Sequence, residues 1–144
     1  MPNVNPIPSG YRTVTPFLNA TNAPKLIDCM KQAFQAKELY KMSEPDGKVR
    51  HAELEIGDSK VMVASHEPAM PTSLYLYVSD CDGWFRRAVA AGGKSVREPT
   101  TEFYGDRTCA VKDSEGNVWW LATHVEDVSP EELKRRAAGN KQVA

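Results

Sequence analysis

The chain has 144 residues, 41% hydrophobic and 26% charged, with 18 Lys and Arg against 19 Asp and Glu for a net charge of −1. That balance removes the basic field by which a protein gathers nucleic acid or an anionic membrane face, and leaves a small molecule as the expected partner. Length and usage fit one globular body, so residues 1–144 read as a single domain.

The Pro-rich opening, Met1-Pro2-Asn3-Val4-Asn5-Pro6-Ile7-Pro8, lacks the basic-then-apolar layout of a signal peptide. No apolar run approaches the ~20 residues of a membrane helix. A cytoplasmic protein without a membrane partner is expected. Residues 11–18 (Tyr11-Arg12-Thr13-Val14-Thr15-Pro16-Phe17-Leu18) are rich in β-branched and aromatic side chains and predict a strand, with Pro16 at an edge or bulge. Thr21-Asn22 offers a helix cap, Pro24 suits a first turn, and Leu26, Ile27, Met30, Ala33 and Phe34 form one apolar stripe at helical spacing. Strands follow over 38–42, 49–56 and 61–65, parted by the turns Glu44-Pro45-Asp46-Gly47 and Gly57-Asp58-Ser59.

After the break Glu67-Pro68-Ala69-Met70-Pro71, residues 73–78 alternate as a strand does. Asp80 or Asp82 caps a helix carrying Trp84, Phe85, Ala88 and Val89, which stops at Gly92-Gly93. Further strands are expected over 96–98, 108–112 and 118–123. Ser129-Pro130-Glu131-Glu132 starts a short charged helix over 129–138, ahead of a frayed polar tail. Cys29, Cys81 and Cys109 are odd in number without CxxC spacing, which supports buried thiols rather than a disulfide framework or a zinc knuckle.

The chain repeats itself. Gly57-Asp58-Ser59 leading to His66 matches Glu115-Gly116-Asn117 leading to His124 at an offset of 58 residues, and the same offset carries Leu26, Ile27 and Met30 onto Trp84, Phe85 and Ala88. Two βαβββ units, 11–66 and 73–124, follow from that duplication, and the cavity between copies becomes the place to look for function.

Arg12 to Leu18, His51 to Asp58, Tyr104-Gly105-Asp106-Arg107, Asp113 to Trp119 and Ala122 to Glu132, in this order and spacing, resemble the vicinal oxygen chelate superfamily of glyoxalases, bleomycin-resistance proteins and dioxygenases, most of all its PhnB-like branch. The resemblance covers about residues 10–136. It implies an α+β fold of two half-barrels around a ligand cavity, usually in a homodimer. In metal-using members the first strand of each copy supplies a ligand, usually His, and the last strand a carboxylate. The resemblance puts those positions on Arg12, Met62, Ser73 and Trp120. Arg cannot deprotonate and Trp offers only an N–H, so neither a metal nor another cofactor is expected.

Other residues remain able to do chemistry. Strand alternation sets His51, Glu53 and Glu55 on one face and Ala52, Leu54 and Ile56 on the other. His51 and Glu53 are therefore candidate acid–base residues, or ligands of a displaced metal, set against a plain polar wall. Arg12 would place a cation at the cavity wall for an anionic or carbonyl-bearing ligand, unless Glu53 pairs with it. Tyr75, Tyr77 and Trp120 share the parity that the resemblance assigns to the cavity, where an aromatic wall suits a flat ligand, the alternative being core or dimer packing. Asp106 and Arg107, after a bend at Gly105, offer acceptor and donor to a ligand or to each other. His66 and His124 occupy equivalent places beside loops, open to a paired metal site or to local hydrogen bonding. No phosphate loop or nucleophile elbow is present. The expected function is binding of a small organic molecule without the usual metal. A lyase, isomerase or dioxygenase built around His51 and Glu53 is the alternative.

Overall fold

Asn22 opens the first helix: its side-chain oxygen accepts from the Lys25 N–H at 3.2 Å, which satisfies one of the free donors of the first turn. In the computed structural model, which describes residues 3–139, helix α1 (Ala23–Phe34) follows strand β1 (Phe17–Ala20) and ends where Gln35 takes a left-handed conformation. β2 (Lys37–Ser43), β3 (Val49–Ile56) and β4 (Ser59–Ser65) complete the first unit. The second unit runs β5 (Ser73–Tyr77), α2 (Cys81–Ala90), β6 (Lys94–Thr101), β7 (Asp106–Lys112) and β8 (Val118–His124), followed by α3 (Pro130–Gly139).

The two units build two four-stranded mixed sheets of the same order, β1-β4-β3-β2 and β5-β8-β7-β6. In each, the first strand runs parallel to the last, Phe17 beside Met62 in one sheet and Tyr75 beside Trp120 in the other. The remaining neighbours are antiparallel. The expected α+β fold with twin βαβββ units is therefore the observed one.

Strand β1 is shorter than expected. Pro16 has no N–H for a ladder, but its carbonyl accepts from the Met62 N–H at 2.9 Å, so regular pairing starts only at Phe17. Residues 11–16 lie outside any strand, and Val14 is 82% exposed. β6 is longer than expected and tolerates Pro99 because it is a sheet edge with irregular register between Arg97 and Thr100. Val89 of α2, read as part of an apolar stripe, is exposed. Asp80, not Asp82, caps α2, accepting from the Gly83 N–H at 3.1 Å. The tail beyond Gly139 lies outside the described residues.

The apolar stripe of α1 packs on the first sheet, where Leu18, Ala52, Leu54 and Val63 are wholly buried. α2 packs on the second sheet, against Cys109, Val111 and Trp119, and the two helices pack on each other. Phe34 joins the halves, its ring centroid 6.4 Å from that of Trp84 and 4.3 Å from that of Trp119. Glu115 makes a second joint: its carboxylate accepts from the Thr21 and Asn22 N–H groups at 2.7 and 3.0 Å, at the start of α1. Each sheet thus has one face under helices and one bare face.

Candidate functional site

Pairing register sets the side chains of the bare faces in rows. Across the first sheet Phe17, Met62, Glu53 and Tyr40 lie side by side, and across the second Tyr75, Trp120, Ala110 and Arg97. Phe17 and Tyr75 are thus equivalent positions, as are Met62 and Trp120. Ser73 opens β5 on the face of Tyr75, as expected of a first-strand position, but the placement of Arg12 at the other first-strand position is corrected. Arg12 precedes β1 and lines a shallow groove with Val14, Pro16 and Lys60. The unpaired arm before Pro16 is the reason, because Arg12 never joins the ladder that would have aimed it across the sheet. Among the described residues Arg12 makes no ion pair with Glu53.

On the second sheet the bare face carries a hydrogen-bond network. The Tyr75 and Tyr77 hydroxyls both donate to Asp106 Oδ2, at 2.9 and 3.0 Å. They reach it from β5 across β8, where the small Ala122 leaves room for the rings. His124 Nδ1 lies 2.9 Å from Asp106 Oδ1, and its Nε2 lies 2.7 Å from Asp127 Oδ1. An imidazole bonded to carboxylates through both nitrogens carries both protons.

The titration shifts follow from these bonds. His124 is held above its ordinary pKa by Asp106 first and then Asp127. Burial pushes the Asp106 carboxyl up, but the bonds from His124, Tyr75 and Tyr77 outweigh it and the net shift is downward. The Tyr75 phenol is raised, by burial and then by its bond to Asp106; Tyr77 is raised chiefly by that bond. Both phenols stay neutral with their protons turned towards Asp106.

Aromatic rings floor this face. Tyr75 and Trp120 are nearly parallel, 19° apart with centroids 6.3 Å apart, and Tyr77 stands at 60° to Tyr75. Tyr75 is 43% exposed and Tyr77 66%. Beside Ala122 on β7 sits Thr108, wholly buried, its hydroxyl without a hydrogen-bond partner among the described residues.

Arg107 does not join this face. Neighbouring residues on a strand point to opposite sides, so while Asp106 meets the tyrosines, Arg107 meets α2. Its guanidinium donates from Nε and Nη2 to the two oxygens of Asp82, at 2.8 and 2.9 Å, and holds that carboxyl down at about 2. The Asp106–Arg107 contact considered from sequence is absent for the same reason.

On the first sheet, His51 Nε2 stands 3.2 Å from Glu53 Oε2, and the His51 ring meets Phe17 edge-on at 6.0 Å. Glu55 is held by Lys60. Met42 lies opposite His51 and Tyr40 opposite Glu53. Exposure is 49% for Phe17, 47% for Tyr40 and 42% for Met42. His66 is spent locally, its Nδ1 2.8 Å from the Pro68 carbonyl oxygen.

A cleft of about 710 Å³ opens where the β3–β4 turn faces β5, walled by Ile56, Val61, Leu74, Leu76, Trp84 and Trp119. Tyr75 and Tyr77 of the network also line it. We place the candidate site on the bare face rather than in this cleft, because the convergent polar groups lie there.

The positions that would carry a chelated metal fit one poorly. Arg12 lies off the sheet and cannot deprotonate, Met62 has only a thioether, Trp120 has only an N–H, and Ser73 alone of the four brings an oxygen. Sequence reasoning missed His124 as a partner of Asp106 and Thr108 as a buried hydroxyl. The pairing of β7 with β8 would have found both, since it sets Asp106 opposite His124 and Thr108 opposite Ala122.

A family model described as the Glyoxalase/Bleomycin resistance protein/Dioxygenase superfamily matches residues 12–121. The uncharacterized protein Rv0887c of Mycobacterium tuberculosis is 33% identical over 135 residues, spanning 84% of this chain and 79% of its own. Among solved structures, TioX from Micromonospora sp. ML1 superimposes with a TM-score of 0.69 at 26% identity, over 79% of this chain and 99% of its own. A PhnB protein from Bacillus cereus does so with a TM-score of 0.61 at 18% identity, over 78% and 99%.

Proposed function

This chain belongs to the glyoxalase/bleomycin resistance protein/dioxygenase superfamily, and from that premise we propose that it binds a small, flat organic molecule on the bare sheet faces without the metal that other members chelate. One observation carries the reading. On the bare faces the paired first and last strands of the two units present Phe17, Met62, Tyr75 and Trp120 as equivalent rows, and the neighbouring polar groups are bonded to one another. Aromatic faces with a few placed acceptors are what a flat ligand needs, since ring area supplies most of the affinity and the polar atoms fix orientation.

In this reading the cavity is completed by a second copy. Phe17, Tyr40 and Met42 form an apolar patch on the first sheet, and β5 is a sheet edge with one side unpaired. Both are features that association would cover. The molar mass of the purified protein by light scattering tests this; a monomer at all concentrations counts against it.

The closest competing activity is acid–base catalysis, or metal chemistry at a displaced site, by His51 and Glu53, and the 3.2 Å contact between them favours it. Thermal melting separates the readings: the protein is incubated with divalent metals and, separately, with a panel of glycopeptide, peptide and aromatic antibiotics. Stabilisation by members of the organic panel is expected. Stabilisation by metal alone, abolished by His51→Ala, would transfer the assignment to the enzyme reading.

A further inference from the structure

We infer that the bare face of the second sheet selects flat aromatic ligands bearing a positive charge or clustered N–H donors; the inference rests on the proposed reading of that face as a binding surface. The argument is one of donors and acceptors. Asp106 takes the hydroxyl protons of both Tyr75 and Tyr77, so the outward sides of the two phenol oxygens present lone pairs only. The protons of His124 are likewise committed, one to Asp106 and one to Asp127.

The nearby cations are spent or set apart. Arg107 is on the helix side with Asp82, Arg97 in the row of Tyr75 is paired with Glu102, Lys60 is on Glu55, Lys112 is at the end of β7 away from Asp106, and Arg12 lies off the sheet altogether. An anionic ligand would therefore meet two phenol lone pairs backed by a carboxylate, and an aromatic floor whose ring faces are negative. A cation meets the same groups favourably. The near-parallel Tyr75 and Trp120 rings attract it through their π-systems, and its N–H groups donate to the phenol oxygens. Thr108 adds a buried hydroxyl of unmet capacity to the same face.

Three probes of one ring system and different charge test the idea: 1-naphthylmethylammonium, 1-naphthylmethanol and 1-naphthoate, titrated calorimetrically into the full chain at neutral pH. The cation is expected to bind about tenfold tighter than the anion, with the alcohol between, as a charge-assisted donor and a cation–π contact together imply. Asp106→Ala, which removes the oxygen that accepts from both phenols and frees their protons to face outward, should shrink that ratio to about twofold or less. Tyr77→Phe removes one phenol oxygen from an exposed ring and should shrink it as well. Because both affinities come from one preparation, the ratio does not depend on the folded fraction.

Equal affinities, a preference for naphthoate, or a cation preference that neither variant changes would each overturn the charge selection while leaving ligand binding intact. If none of the three probes binds, the binding reading itself falls, and this inference with it.

Discussion

Phe34, the last residue of α1, stacks on Trp119 of β8 with ring centroids 4.3 Å apart, so one aromatic pair ties the helix of the first unit to the closing strand of the second. Both rings are buried, and the Trp119 N–H donates to Asp113 at 2.8 Å, which fixes the indole from its far side. Phe34→Ala leaves a cavity that neither sheet can collapse into. A loss of about 3–5 kcal/mol is expected from denaturant unfolding. A change below about 1 kcal/mol would mean that the halves are not joined through this contact.

Glu115 ties the same halves from the surface. It sits in the turn between β7 and β8, yet it caps the start of α1 by accepting from Thr21 and Asn22. Glu115→Ala should cost about 1 kcal/mol, in the range of lost helix caps. Thr21→Ala, which removes only the hydroxyl contact, should cost less. Denaturation midpoints of the two variants give the order, and a larger effect of Thr21→Ala would contradict it.

Much of this architecture is written in local chemistry. The stripe Leu26, Ile27, Met30 and its counterpart Trp84, Phe85, Ala88 predict the two helices because an amphipathic face repeats every three to four residues. The alternation from His51 to Ile56 predicts which side of β3 meets a helix, and burial of Ala52, Leu54 and Ile56 agrees. What sequence could not supply is where β1 begins to pair. Arg12 fails as a wall residue because Pro16 delays the ladder, a fact settled by pairing with Met62 rather than by propensity. The Asp106 network was hidden for a similar reason: Tyr75, Tyr77, Asp106 and His124 come from three strands, and only their pairing makes them neighbours.

His124 makes stability depend on pH in a defined direction. Its folded pKa lies above the ordinary 6.5 because Asp106 and Asp127 hold the imidazolium, so its contribution is whole below about 6.5 and is lost as pH rises through the raised value. Asp106 runs the other way. Its folded pKa lies below the ordinary 3.8, so its contribution is present above that value and is lost as pH falls through the lowered one. Melting temperatures of the wild type and His124→Gln should therefore differ most between about pH 4 and 6.5, and the gap should close in alkali. A gap of constant size across the range would show that the imidazolium is not the stabilising form.

Arg107 separates structure from binding. Its two bonds to Asp82 pin the first turn of α2 to β7, and its side chain is on the face opposite Tyr75 and Tyr77. Arg107→Ala should lower the melting temperature, since it leaves Asp82 without its partner. Arg107→Lys should recover little, because a single ammonium cannot span both carboxylate oxygens. Neither change should alter the relative affinities of the naphthyl probes. A shift in those affinities with an unchanged melting temperature would place Arg107 at the ligand and would return Asp106 and Arg107 to a shared face, against the alternation of β7.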